Sequence, residues 1–196
     1  MTKLTLGTIA ATIAMFIWGA IFWMSPMPYS VLGKTPDDAA AGKALLEHFP
    51  ANATYIVPGM YNAEDKLTAL HKSGPLAMVH LRREGAEVME PAVLAVGFLQ
   101  ELVTVMLMGA LLTLAGPSLP TYVSRVRFLT LAGLAVAVFT DLGAPIWWRH
   151  PWPFHLVSAV YTVTAWFVAG LVLSAVVRPR AGAAASQVAA SSPSAA

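Results

Sequence analysis

Four apolar runs, residues 4–24, 92–115, 126–146 and 153–177, leave this chain few ways to fold. Each holds 21 to 25 residues. At 1.5 Å per residue, a helix of ~20 residues crosses a hydrocarbon core of ~30 Å. In lipid a backbone must satisfy its own hydrogen bonds, and a helix does so within the segment. The pattern predicts an all-α transmembrane protein: a four-helix membrane bundle with a small α+β extracytoplasmic insertion between helices 1 and 2. Charged residues make up 11% of the chain, against about 25% in a soluble domain. The formal net charge of +2 comes mostly from helix flanks. No basic patch on a soluble face points to nucleic acid. The chain has no cysteine, which excludes disulfides, thiolate nucleophiles, iron–sulfur clusters and Cys-based zinc sites.

Lys3 precedes the first run, as in a signal peptide. The run is long for an h-region and ends in Phe22, Trp23 and Met24 rather than small residues. Residues 1–24 therefore read as an uncleaved signal anchor. With four spans, Lys3, Arg125, Arg127, Arg178 and Arg180 fall on one side, and the short loop 147–152 on the other carries only Arg149. The positive-inside rule puts both termini in the cytoplasm and residues 25–91 outside. Phe22, Trp23, Tyr29, Trp147, Trp148, Trp152 and Phe154 form an aromatic belt at the outer boundary. Residues 178–196, mostly Ala and Ser beyond the arginines, read as a disordered cytoplasmic tail.

Within residues 25–91, Pro26 and Pro28 end the first helix. Thr35-Pro36-Asp37-Asp38 predicts a helix over 36–48 with Thr35 as its cap. Tyr55 to Val57 predicts a strand ended by Pro58-Gly59, Asn62 caps a helix through about His71, and Leu76 to Leu81 predicts a second strand. The strand–helix–strand order favours parallel pairing. About 65 residues make a marginal core, so this unit is expected to lean on the membrane surface or on a partner.

Two acids lie inside the runs, Glu101 and Asp141. An ionisable side chain at the centre of a span costs ~2.5–3.5 kcal/mol on insertion scales and usually faces the helix interior with a partner. Glu101 lies ~14 Å and Asp141 ~8 Å from the outer boundary, from the rise per residue. Gln100 and Thr104 neighbour Glu101. On the fourth run His155, Ser158 and Thr162 share a small-and-polar stripe with Ala165 and Ala169. If these faces converge, Asp141 meets His155 and Ser158, Glu101 lies near Thr162, and the set forms an outward-opening intramembrane polar pocket. The two acids then serve as structural hydrogen-bond acceptors, as the wall of a lipid or quinone pocket, or as proton or metal groups with His155. Thr113, Thr130 and Ser174 are scattered hydroxyls, too few for a conduction path.

His150 and His155 are five apart across two prolines, which matches no helical metal spacing. With no facing histidine on the first three spans, bis-His haem has no ligand set. His48, His71 and His80 are spread over the insertion. No metal and no cofactor is therefore expected. The Asn52-Ala53-Thr54 sequon reads as accidental, and Pro58-Gly59-Met60-Tyr61 as a turn.

Phe16-Ile17-Trp18-Gly19, Pro58-Gly59-Met60, Gly74-Pro75, the aromatic segment Trp147 to Phe154, and Trp166 with Gly170 carry a resemblance. Over residues 10–177 the chain resembles an uncharacterised group of small bacterial four-helix inner-membrane proteins. The resemblance implies a bacterial inner membrane and brings no activity or functional residue with it. Two functions stay open. One is an integral membrane accessory or binding protein, engaging a protein partner or lipid at the extracytoplasmic face. The other is a membrane enzyme or redox subunit using Glu101, Asp141 and His155. The expected partners are the lipid bilayer and a membrane-protein partner or second copy.

Overall fold

The computed structural model describes residues 3–177. The tail 178–196, with Arg178 and Arg180, lies outside them. Four helices are long and apolar enough to cross a membrane, and the chain is a multi-pass membrane protein on that ground. Helix α1 (Lys3–Trp23) is followed by a short α2 (Pro26–Ser30). The insertion then holds α3 (Asp38–His48), β1 (Ala53–Val57), α4 (Glu64–Ser73) and β2 (Ala77–Leu81). Three further spans follow: α5 (Pro91–Ala115), α6 (Tyr122–Thr140) continued by α7 (Gly143–Trp148), and α8 (Trp152–Val176).

The third span differs from its expected bounds of 126–146. It starts at Tyr122, where Thr121 caps it: the Thr121 hydroxyl accepts from Ser124 N, and the Ser124 hydroxyl accepts from Thr121 N. It breaks after Thr140. Pro145 has no N–H to give the carbonyl four residues back, which is that of Asp141, and Leu142 N turns instead to Ala137 O.

The long helices stand in a row, α5–α1–α8–α6. The dominant contacts are α6 with α8, α1 with α8, and α1 with α5, while α5 barely meets α6 or α8. The core lies along this row. It includes Ala11 and Met15 of α1, Val105, Met108 and Leu112 of α5, Leu129 of α6, and Ala165, Ala169 and Leu173 of α8. Alanines on α8 let both neighbours approach closely. Trp18 Nε1 donates to Thr164 Oγ1 at 3.0 Å, tying α1 to α8. At the insertion end, Phe22, Trp23, Phe154 and Tyr161 form an aromatic cluster between the same helices.

The insertion corrects three expectations. Its strands pair antiparallel, Ala53 opposite Leu81 and Val57 opposite Ala77, not parallel. A parallel crossover needs its helix laid on a sheet face, and α4 covers neither strand extensively. The pairing is held from its open end. Asn52 Oδ1 accepts from Arg83 N at 2.8 Å, and Asn52 Nδ2 donates to Glu84 at 2.7 Å. Arg83 reaches the carbonyls of Leu46 and Phe49, and Thr54 pairs with His80 across the strands. The Asn52 amide beside Glu84 holds that carboxyl below its usual range. Second, α3 starts at Asp38 and is capped by Asp37, which accepts from Ala40 N, while Thr35 bonds Asp38. Third, Asn62 does not cap α4. It donates to Gly59 O and closes the Pro58–Tyr61 turn, and α4 begins at Glu64 and runs to Ser73.

Over residues 31–90 only Pro58 is buried. Neither α3 nor α4 has a buried residue. A lone two-stranded sheet is marginal in water, and the connections around this one expose Met60, Tyr61, Val88 and Met89, with Tyr61 93% and Val88 99% accessible.

Candidate functional site

The seven residues expected to share one pocket divide into four groups. In the first, the α6 break presents Asp141 to α8. Ser158 Oγ donates to Asp141 Oδ1 at 2.7 Å, and Thr162 Oγ1 donates to Oδ2 at 2.8 Å. Ser158 and Thr162 are four apart, so they stack on one face of α8 and each hydroxyl takes one carboxylate oxygen. Both oxygens are thus occupied by donors on the neighbouring span.

In the second group, Glu101 faces α1 and α8 at a different place. It lies beside the Tyr161 hydroxyl, within hydrogen-bond reach. A Cβ at Gly19 would stand 3.0 Å from the Tyr161 oxygen and 3.5 Å from Glu101 Oε1. The missing side chain at Gly19 is what lets these two polar groups meet against α1. The Trp23 ring packs edge-on against Tyr161, centroids 5.2 Å apart. Glu101 Oε2 is buried without a partner. The expectation that Glu101 lies near Thr162 is corrected here: its partner is Tyr161. Tyr161 and Thr162 are consecutive on α8, and a helix points consecutive side chains ~100° apart. One residue serves the α5–α1 side and the other the α6 side. Tyr161 was missed in the sequence because a tyrosine in a span reads first as belt or core. Its spacing of one from Thr162 gave no signal of a second polar face.

Gln100 and Thr104 form the third group. Gln100 Nε2 donates to Thr104 Oγ1 at 3.2 Å, and the Thr104 hydroxyl donates to Gln100 O at 3.0 Å. Gln100 is exposed and Thr104 half-buried on the flank of α5, and neither bonds Asp141 or Ser158.

His155 has moved partners as well. Arg149 takes a left-handed conformation (φ 57°, ψ 31°) at the end of α7, and the chain turns back so that His150 Nδ1 stands 3.2 Å from His155 Nε2. Sequence spacing gave no hint of this, because the pair is made by a turn and not by a helix face. Asp141 acts on His155 electrostatically without bonding it. Among the described residues, no group of three or more His, Cys, Asp or Glu side chains is arranged to hold a metal.

This arrangement supports helix-to-helix hydrogen bonding: a carboxylate with two hydroxyls at α6–α8, and a carboxyl with a phenol at α5–α1–α8. Replacing Asp141 by leucine strands both hydroxyls. It is expected to cost ~1–2 kcal/mol, because each can fall back on its own helix's carbonyls. Asp141→Asn keeps one acceptor and is expected to cost less than half of that. Unfolding titrations in mixed micelles check both values. Comparison with protein-family models, curated proteins and solved structures gives no match for this chain.

Proposed function

We propose that this protein is a non-enzymatic accessory or binding protein of a bacterial inner membrane, with both termini cytoplasmic. Its insertion engages a protein partner at the extracytoplasmic face. The observation that carries this reading is that residues 31–90 bury only Pro58 while exposing Met60, Tyr61, Val88 and Met89. A segment that folds hydrogen-bonded strands and two helices without closing a core has apolar surface left for another surface to cover. The long helices act as the platform, and Glu101 and Asp141 join them.

Photo-crosslinkers at Tyr61 and Val88 in intact membranes test this. Each is expected to give a discrete protein adduct, and the same probe at Lys72 on α4 is not. Tyr61→Ala with Val88→Ser is expected to abolish the adduct and leave thermal stability within ~0.5 kcal/mol, since both side chains lie outside any core. Uniform labelling at all three positions would overturn the proposal.

A second reading, a membrane enzyme working through Glu101, draws on one observation: its Oε2 is buried and unpaired. Under the accessory reading, Glu101→Gln and Asp141→Asn lose some stability but still complement a deletion. Folded variants that fail to complement would favour the enzyme.

A further inference from the structure

The outer face of α5 has a pattern that neither the core nor the candidate site uses. Val93, Gly97, Gln100, Thr104, Leu107 and Leu111 follow one another at steps of four, three, four, three and four. That is the spacing of a helix-pairing seam, which stays on one line when two helices wind left-handedly around each other. On α5 this line runs along the flank, about 90° around the helix from the face toward α1. The face toward α1 carries Val105, Met108 and Leu112, all buried. The outer line is open: Val93, Leu107 and Leu111 are exposed, and a groove of about 480 Å³ runs beside Gly97 and Gln100. Because α5 ends the row of helices, Val93, Gln100, Leu107 and Leu111 stay exposed, and Gly97 and Thr104 are half-buried.

Gln100 decides what the seam is for. It lies nine residues into α5, ~14 Å along a helix of ~37 Å, at mid-depth of the bilayer. Its amide spends one N–H on Thr104. The carbonyl oxygen and the second N–H face lipid, which offers no donor or acceptor. An acyl chain in the groove leaves them unsatisfied. A second primary amide satisfies both at once, since each amide donates through nitrogen and accepts through oxygen.

We propose that α5 pairs with α5 of a second copy of this chain, about a two-fold axis along the membrane normal, with Gln100 bonded to Gln100 across it. Copies inserted with the same topology are parallel, and such an axis sets each residue against itself at equal depth. The complement that Gln100 requires therefore stands opposite it without a new partner. Gly97, one turn away, removes the side chain that would hold the backbones apart. The insertions of both copies then emerge side by side at the same membrane face.

The absence of cysteine makes the seam testable with single thiols. Val93→Cys and Leu107→Cys are expected to give disulfide-linked dimers in native membranes under copper–phenanthroline oxidation, the two thiols losing two electrons and two protons to the oxidant. Leu134→Cys, exposed on α6, is expected to give none. A Cβ at Gly97 meets no atom within 4 Å, so the first carbon of Gly97→Leu fits the monomer, whose unfolding midpoint is expected not to fall, while the dimer fraction in bilayers drops. Gln100→Leu is expected to weaken dimerisation about tenfold. Single-step photobleaching at all protein-to-lipid ratios, equal cross-linking at Leu134, or a folded Gly97→Leu that dimerises normally would overturn the proposal. Disulfides formed at the seam only with a different protein would overturn it too.

Discussion

Gly133→Ala is expected to lower the stability of the folded protein by ~3 kcal/mol, enough to loosen α6 from α8. The new methyl carbon would stand 2.4 Å from Trp166 Cβ and 2.6 Å from its Cγ. These are the stem of the tryptophan, not the free end of a flexible chain, so the helices themselves must move apart. Intrinsic helix propensity argues the other way, since alanine is better than glycine inside a helix by ~1 kcal/mol. A measured loss therefore reports packing alone. Trp166→Phe keeps the stem and is expected not to rescue the variant. Gly42→Ala, on exposed α3 with nothing within 4 Å of the new carbon, is expected to be neutral or slightly stabilising. A Gly133→Ala protein with unchanged unfolding in mixed micelles would show that α6 and α8 do not cross here. Separation should also release Asp141 from Ser158 and Thr162, so the third span's break should become accessible to protease.

Arg125→Ala is the second large effect, also expected at ~3 kcal/mol, whereas Arg127→Ala is expected to fall within ~0.5 kcal/mol. Both arginines serve the charge count equally. In the fold Arg125 is 6% exposed, and its Nε and Nη2 donate to Ser174 O at 3.3 and 3.1 Å. Its Nη1 reaches the carbonyls of Leu119 and Pro120. Ser174 is in the last turn of α8, where carbonyls have no helical donor and the dipole end is negative. One guanidinium thus caps α8 and holds the α5–α6 connection. Lysine has the charge but not the planar fork, so Arg125→Lys is expected to recover less than half of the loss. Faster amide exchange over residues 173–177 in Arg125→Ala would locate the effect. Equal losses at Arg125 and Arg127 would refute the capping role.

Legibility in the sequence followed the range of the interaction. Thr121 and Ser124 cap α6 within a single turn, and the pattern of a polar pair before an apolar run is local. Hydropathy alone starts the span at Val126, because Ser124 and Arg125 interrupt the apolar run. The antiparallel pairing of β1 and β2 was not legible. It depends on Asn52 meeting Arg83 and Glu84 some thirty residues away, and strand–helix–strand order does not encode that meeting. The polar residues themselves were visible one by one. Ser158 alone was matched to Asp141, by depth; that Thr162, four residues on and so on the same face of α8, also bonds Asp141 emerged only in the fold. Glu101 was matched to the wrong neighbour because the row α5–α1–α8–α6 places α1 between acids that a closed bundle would have brought together.

The sequence by itself determined the four apolar spans and the end of the first at Pro26 and Pro28. Each of these rests on hydrogen bonds and apolar contacts made within one segment, which lipid makes obligatory. Only the tertiary structure decided the order of the helices, the separation of Asp141 from Glu101 onto two faces of α8, the burial of Arg125 beside the exposed Arg127, and the His150–His155 contact. Apolar helix surfaces are chemically alike to one another and to lipid. Which helix meets which is settled by the shapes of Gly19, Gly133, Ala165 and Ala169 against their neighbours, and shape complementarity exists only once two surfaces are brought together.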